Sequence, residues 1–162
     1  MKIIKGFFAF LAVCGSITFA LAAPAAASTP APDIVSTFQN AGTKLCLNNP
    51  APTPANTSIV EGSVCNDQES ELWSFAGSNK ASVLRNVATG LCLTSNSVGD
   101  VSAVPCDILS LHEWYVAGSG GLVRDMTTGL CLENLPVDNG IITSIIRTAQ
   151  CSDLSIEHWI HS

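Results

Sequence analysis

The stretch Gly-Leu-Cys-Leu at positions 129–132 decides the fold, because the same four residues recur at 90–93 and a close relative, Lys-Leu-Cys-Leu, stands at 44–47. Each copy is followed by a second cysteine. A tryptophan then comes eight residues after that cysteine, as Trp73, Trp114 and Trp159. A sequence that repeats itself at intervals of about 40 residues predicts copies of one small structural unit packed together. Three such copies account for nearly all of the chain after its N-terminal leader.

Each copy alternates short runs of strand-forming residues with turns rich in glycine, asparagine and serine, which indicates β-strands. No window outside the leader has the helical spacing of apolar positions. The sequence therefore predicts an all-β protein with four strands in each of three repeats, about 34–77, 78–118 and 119–162. The predicted strands are Ile34–Gln39, Leu45–Asn48, Ile59–Cys65, Leu72–Ala76, Ser82–Val87, Leu91–Thr94, Val101–Cys106, Glu113–Ala117, Gly121–Met126, Leu130–Glu133, Ile141–Ala149 and Ile156–Ile160.

The N-terminal residues have the three parts of a secretory signal peptide. Two lysines supply positive charge, an uncharged apolar stretch covers 6–23, and small residues suited to cleavage follow. We predict a signal peptide over 1–27 that is cut after Ala27, with Ala22 as the second choice, then a linker over 28–33 and a secreted, extracellular protein. Two alternatives remain open: an uncleaved membrane anchor, and a lipoprotein that carries its lipid on Cys14.

The chain is acidic, with a net charge of −6 that becomes −8 when Lys2 and Lys5 leave with the leader. Binding to the phosphate backbone of nucleic acids needs clustered lysine and arginine. The few basic residues that remain are scattered, and they would not attach the protein to anionic lipid either. We therefore expect no nucleic-acid partner and no membrane insertion after signal cleavage.

Six cysteines remain once Cys14 has left with the leader. An even number of cysteines in an exported chain indicates disulfides, although six cysteines allow many connectivities. The repeat selects one of them, because each copy holds two cysteines. Zinc is disfavoured, since no two cysteines have the close spacing of a structural zinc site. The predicted bonds, each stabilising by about 3 kcal/mol in the chain-entropy model, are Cys46–Cys65, Cys92–Cys106 and Cys131–Cys151.

Over residues 34–162 the three copies resemble the ricin B-type β-trefoil. The likeness rests on the joint register of two cysteines and one tryptophan in each copy. In such trefoils the tryptophan lies in the shared core. Strand alternation agrees, because it puts Trp73 on the same face as Phe75 and Trp114 on the same face as Val116. A second register mark stands six residues before each first cysteine: Asn40, Asn86 and Asp125.

The resemblance implies a shallow pocket for galactose-like sugars in each repeat. The family uses an aspartate two residues after the first cysteine, an aromatic ring just before the second, and polar residues just before the tryptophan. Ionised acceptors bind sugar hydroxyls strongly, and the ring supplies an apolar contact. No repeat keeps the complete set. The aspartate positions hold Asn48, Thr94 and Glu133. The ring positions hold Ser63, Val104 and Ala149. The polar pairs become Ser70 and Glu71, Leu111 and His112, and Ile156 and Glu157.

The third repeat is nearest to the family pattern, because Glu133 can accept hydrogen bonds and Asp138 and Asn139 lie in the loop beyond it. Tyr115 alternates with Trp114 along its strand and is therefore the ring that we expect to face water. Taken together, the candidate carbohydrate-binding residues are Glu133, Asp138, Asn139, Glu157, Asn48, Glu71, Thr94, His112 and Tyr115.

The sequence favours a binding protein over an enzyme. It contains none of the nucleophile, metalloprotease or phosphate-loop motifs. His158 and His161 face opposite sides of one predicted strand, so they cannot share a metal. Asp67, Glu69 and Glu71 imitate the start of a calcium loop but lack its glycine and its final glutamate. We expect no catalytic residue, no cofactor and no metal.

Two functions remain open. The first is a secreted, lectin-like module that recognises a glycan or glycoprotein through atypical pockets. The second is a protein-binding trefoil without sugar binding, such as a toxin accessory subunit or a protease inhibitor, because both classes use this fold. Asn56 begins an acceptor sequence for N-glycosylation, which has meaning only in a eukaryotic host.

Overall fold

The computed structural model describes residues 33–50, 58–106, 113–137 and 143–162, which belong to one compact unit, Ala31–Ser162. The predicted signal peptide and most of the predicted linker lie outside the described residues. No helix among the described residues is long and apolar enough to span a membrane. The described strands are β1 Ile34–Asn40, β2 Cys46–Asn48, β3 Ser58–Ile59, β4 Glu61–Ser63, β5 Leu72–Phe75, β6 Lys80–Val83, β7 Arg85–Asn86, β8 Cys92–Ser95, β9 Val101–Val104, β10 Glu113–Val116, β11 Gly121–Asp125, β12 Cys131–Leu135, β13 Thr143–Ala149 and β14 His158–His161.

The all-β prediction is confirmed, with three local differences. Two of the predicted strands are each split in two, and at both breaks a buried apolar side chain, Val60 or Leu84, joins the core. The predicted strand Ile156–Ile160 is wrong in its first half, because Ser155–Glu157 forms a 3-10 turn and the strand begins at His158.

Seven of these strands close into a ring. Strand β1 pairs with β5 on one side and with β14 on the other. Strand β14 pairs with β11, β11 with β10, and β10 with β6. Strand β7, which follows β6 directly, pairs back to β5. The chain therefore builds a closed barrel, in which the first and last strands of neighbouring repeats lie side by side.

Three antiparallel hairpins, one from each repeat, pack together beside the barrel. They are formed by β2 with β4, β8 with β9, and β12 with β13. Strand β4 also pairs with β13, β3 with β9, and an isolated bridge joins Asp100 to Arg147. Each hairpin therefore touches the other two, and this three-way packing brings residues of all three repeats to one surface.

The three tryptophans lie in the shared core, as predicted, and each is fully buried. Each indole N–H donates to the carbonyl of the leucine that follows the first cysteine of its own repeat. The distances are 2.9 Å to Leu47, 2.9 Å to Leu93 and 3.0 Å to Leu132. A buried indole N–H needs such a partner. The bond therefore explains why the Leu-Cys-Leu stretch and the tryptophan occur together in every copy.

The second register mark caps a turn. Asn40, Asn86 and Asp125 are buried, and in each case the side-chain Oδ1 accepts the backbone N–H of a threonine three residues later. The distances are 3.0 Å to Thr43, 3.1 Å to Thr89 and 3.0 Å to Thr128. Such local bonds from asparagine and aspartate are typical of turns. The mark is therefore structural.

The residue before each Leu-Cys-Leu stretch has a left-handed backbone. Gly90 and Gly129 have φ values of 68° and 74°, and Lys44 has 64°. Glycine adopts this conformation freely, whereas a residue with a Cβ is strained there. The first repeat therefore carries a local strain that the other two avoid.

The three predicted disulfides are confirmed: Cys46–Cys65, Cys92–Cys106 and Cys131–Cys151. Each joins the two cysteines of one repeat, as the repeat pattern required. The bond ties the start of one hairpin strand to the loop that leads to the tryptophan. The loop after the second cysteine is consequently held next to the hairpin, and this placement forms the candidate site.

Candidate functional site

A cleft of about 670 Å³ opens beside the end of β2 in the first repeat. Asn48 and Ser70 stand at two of the positions to which the resemblance assigned sugar contacts. We call this surface the first-repeat cleft; its lining residues are Asn48, Pro50, Asp67, Gln68, Glu69, Ser70, Ala88 and Thr89. The described residues thus assemble a polar cleft at the expected place in the first repeat.

Glu71 holds the loop that borders this cleft. Its buried carboxylate accepts the backbone N–H groups of Asn66 at 2.9 Å and Asp67 at 3.1 Å, and the hydroxyl of Ser63 at 3.2 Å. These bonds fix Asp67 in the left-handed region, with φ of 61°, where aspartate is tolerated better than most residues. Glu71 therefore positions Asp67, while its own carboxylate lies in the interior.

A second hydrogen-bond network holds the side of the first-repeat cleft that Thr89 lines. Asn49 is fully buried, and its Oδ1 accepts the hydroxyl of Thr89 at 2.7 Å. The side-chain amide of Asn49 donates to the hydroxyl of Ser58 and to the carbonyl of Ile59. The backbone N–H of Thr89 donates to Asn86 at 3.1 Å. A satisfied network of this kind holds its members in place before any ligand arrives.

Two exposed carboxylates, those of Asp67 and Glu69, give the cleft its charge. No described lysine, arginine or histidine forms an ion pair with either of them. None of the described lining residues is aromatic, and Ser63 stands at the ring position. The cleft therefore offers strong hydrogen-bond acceptors without an apolar face on which a sugar could stack.

The corresponding loop of the third repeat has the same interior support. The carboxylate of Glu157 is buried and accepts the backbone N–H groups of Ser152 at 2.8 Å and Asp153 at 2.7 Å. Glu71 and Glu157, both predicted to contact sugar, are therefore placed in the interior by hydrogen bonds to their own loops.

Asp153, unlike Asp67, is held by a partner. Its Oδ1 lies 2.8 Å from Nε2 of His158, and Nδ1 of the same ring lies 2.7 Å from the carbonyl oxygen of Gly120. The Gly120 carbonyl, and after it Asp153, raise the pKa of His158 above its usual value, because both acceptors favour the protonated ring. One oxygen of the exposed Asp153 carboxylate is thus paired with His158, whereas Asp67 forms no ion pair with a described residue.

Glu133, the principal candidate from the sequence, lies on β12 directly opposite Arg147 on β13. Its buried carboxylate forms an ion pair with Nε of Arg147, whose side chain is half exposed. Asp138 and Asn139, expected beside Glu133, lie outside the described residues. The described residues therefore do not assemble a sugar pocket around Glu133, and its role stays a prediction.

The remaining candidates are spread over the molecule. Tyr115 is exposed on β10 while Trp114 beside it is buried, as alternation predicts. Thr94 lies on β8 opposite Ser102, away from the first-repeat cleft. His112 lies outside the described residues. Of all the candidate residues that the structure describes, only Asn48 lines the first-repeat cleft.

The sequence reasoning missed Asp67, Gln68 and Glu69 as site residues. Their acidic pattern marks a loop, but it does not show which carboxylates face outward. The 3-10 turn over Glu69–Glu71 determines this, because it directs Glu71 into the interior and leaves Glu69 exposed. No group of three or more metal-ligating side chains is present among the described residues.

Comparison with known proteins identifies the family. The model of the ricin-type β-trefoil lectin domain matches residues 35–159. The chain belongs to this family. The fold and the register of cysteines and tryptophans described above are therefore those of a ricin-type trefoil. No curated protein matches this sequence.

Solved structures share the fold at low sequence identity. The Macrolepiota procera ricin B-like lectin, in complex with lactose, has a TM-score of 0.65 at 13% identity, over 83% of this chain and 99% of its own. The C-half of the earthworm R-type lectin, in complex with GalNAc, has a TM-score of 0.62 at 14% identity, over 79% and 97%. The cytolethal distending toxin from Actinobacillus actinomycetemcomitans has a TM-score of 0.63 at 11% identity, over 78% and 88%.

Proposed function

We propose that this chain is a secreted carbohydrate-binding module whose sugar pocket is the first-repeat cleft. The observation that carries the proposal is a polar cleft of about 670 Å³, built at the position of a family sugar site and held in place by Glu71 and Asn49. Clefts of several hundred Å³ take small ligands. The lectins with bound lactose and GalNAc support a sugar as the ligand.

Recognition would rest on hydrogen bonds. Sugar hydroxyls would donate to the carboxylates of Asp67 and Glu69, and the amides of Asn48 and Gln68 would complete the contacts. Each of these bonds replaces one to water, and no ring among the described lining residues adds an apolar contact. We therefore expect weak binding of a single sugar, with a Kd of about 1 mM.

Charge would set the selectivity. The two carboxylates repel sugars that bear a carboxylate or sulfate group, since no cation lines the described part of the cleft. The expected ligands are neutral or amine-bearing sugars. We assign no catalytic step to the cleft.

Secretion is proposed on two grounds. The first residues have the charge, apolar stretch and small residues of a signal peptide. The three disulfides suit an oxidising compartment such as the extracellular space.

A glycan array with the purified, oxidised protein tests the function, and titration with the strongest ligand tests the location. Asp67→Asn should weaken binding about tenfold, because a neutral amide is the poorer acceptor. Asp153→Asn removes the same charge from the equivalent loop of the third repeat and should leave binding unchanged. A blank array from folded protein would contradict carbohydrate binding. Equal loss in the two variants would contradict the assignment to the first repeat.

A further inference from the structure

A second cleft, of about 600 Å³, lies where the three hairpins meet. We call it the hairpin groove and define it by residues from all three repeats: Ile59, Glu61, Val98, Asp100, Ile145 and Arg147. It shares no lining residue with the first-repeat cleft. The function proposed above does not use it.

Each repeat places one exposed aliphatic side chain on the hairpin groove. Ile59 is 71% exposed, Val98 is 81% exposed and Ile145 is 54% exposed. Single exposed aliphatic residues are ordinary on protein surfaces, but a contiguous set around a groove is typical of an interaction site. The three-way packing of the hairpins brings these side chains to one surface.

The fold itself does not need these side chains. Ile59 stands between buried Ser58 and Val60, and Ile145 stands between buried Ser144 and Ile146. Because side chains alternate along a strand, the neighbouring residues point into the core, and Ile59 and Ile145 point outward. A polar side chain at Ile59 or Ile145 would leave the core unchanged. The presence of aliphatic residues at these exposed positions therefore needs another explanation.

The charges around the groove leave it negative. Glu61 and Asp100 line it, and Arg147, the one cation among the described lining residues, is already paired with the buried carboxylate of Glu133. The carboxylates of Glu61 and Asp100 therefore leave a net negative charge at the groove. A second copy of this chain would bring the same carboxylates against each other, which disfavours self-association through this surface.

We propose that the hairpin groove docks a protein segment whose aliphatic side chains are flanked by lysine or arginine. The aliphatic side chains would cover Ile59, Val98 and Ile145, and the cations would lie beside Glu61 and Asp100. A sugar fits less well than in the polar first-repeat cleft, because most of the described lining residues of the groove are aliphatic. This pairing of an apolar centre with a charged rim is the usual anatomy of a protein interface.

A heptapeptide library displayed on phage tests the proposal. It would be selected on the full oxidised protein and depleted on the Val98→Lys variant, which removes an aliphatic contact and adds a repelling charge. Peptides that combine aliphatic residues with lysine or arginine should be enriched. Selection of acidic or aromatic peptides, or no enrichment over the uncoated surface, would overturn the proposal.

Fluorescence polarisation with the enriched peptide then locates the site. Val98→Lys and Ile145→Lys should each weaken binding about tenfold or more, as expected for a central contact. Leu154→Lys is the matched control, because Leu154 is 56% exposed and lies outside the groove. Glu61→Gln together with Asp100→Asn should reduce both the affinity and its dependence on salt. Equal effects of Leu154→Lys and Ile145→Lys would overturn the assignment, and melting curves would show that all variants fold.

Discussion

The loops that follow the second cysteine in the first and third repeats share one backbone conformation and differ in their side-chain contacts. Asp67 and Asp153 have φ values of 61° and 63°, and a 3-10 turn that ends in a buried glutamate follows each. Asp67 borders an open cleft, whereas Asp153 is bound by His158. Leu72 occupies the position of His158 in the first repeat. The interior glutamate therefore sets the shape of the loop, and one neighbouring residue decides whether its aspartate is paired.

The largest expected effect comes from the interior glutamates. Glu71→Ala and Glu157→Ala each leave two loop N–H groups without their acceptor. We expect each change to lower the free energy of unfolding by about 3 kcal/mol, because the loop loses hydrogen bonds to a charged acceptor and the buried side chain leaves a space behind. Chemical denaturation of the oxidised protein measures it.

Glu69→Ala is the control for this comparison, because Glu69 is exposed at the start of the same turn. It should change stability by less than about 0.5 kcal/mol. If Glu71→Ala were as mild as Glu69→Ala, the glutamate would not be the support of the loop, and the common shape of the two loops would need another cause.

The hairpins give a second contrast between the same repeats. Glu133 faces Arg147 across β12 and β13, while Asn48, its counterpart in the first repeat, faces Glu61 across β2 and β4. Arg147→Ala leaves the buried carboxylate of Glu133 unpaired and should destabilise the protein by about 2 kcal/mol, since Arg147 itself is half exposed. Glu61→Ala should have little effect. Thermal denaturation compares the two variants, and equal melting temperatures would show that the ion pair contributes nothing.

Much of the fold could be predicted from the sequence because its determinants recur at fixed spacing. Each tryptophan bonds to the leucine beside the first cysteine of its own repeat, so one structural contact leaves the same sequence mark three times. The disulfides could be predicted as well, because each repeat contains two cysteines and they bond to each other. The breaks at Val60 and Leu84 could not be predicted, because they depend on how a single side chain enters a core shared by three repeats.

The candidate site was less predictable, because it depends on which way individual side chains turn. Glu71 stands where the family has a sugar contact, yet the 3-10 turn directs it into the interior. Glu133 likewise stands at a sugar position, and its pairing with Arg147 arises from a cross-strand register that spacing alone does not give. The cleft lies instead beside Asp67, whose exposure results from the bonds that Glu71 makes.

A smaller effect is expected where the first repeat departs from the glycine of the other two. Lys44 has a φ of 64°, and Gly129 has 74° at the equivalent position. Lys44→Gly relieves the left-handed strain but adds freedom to the unfolded chain, so a net stabilisation of about 0.5 kcal/mol is expected. The reverse change, Gly129→Lys, should destabilise by about 1 kcal/mol. Destabilisation by Lys44→Gly in thermal unfolding would mean that the lysine side chain stabilises this turn in another way.

The smallest effect concerns pH, and it tests the residue that separates the two loops. The pKa of His158 is raised because its ring faces the Gly120 carbonyl and the carboxylate of Asp153, with Glu157 adding a weaker attraction. A raised pKa in the folded state stabilises the protein fully below the unfolded value of 6.5 and loses that contribution as the pH rises through the folded value. His158→Leu places the first-repeat residue in the third repeat and removes this contribution. The melting temperature of the wild type should therefore exceed that of His158→Leu most at about pH 6, and the difference should shrink towards about pH 8.5. A difference that grows with pH would mean that neutral His158 is the form that the folded loop prefers, and that Asp153 is not held by the ion pair.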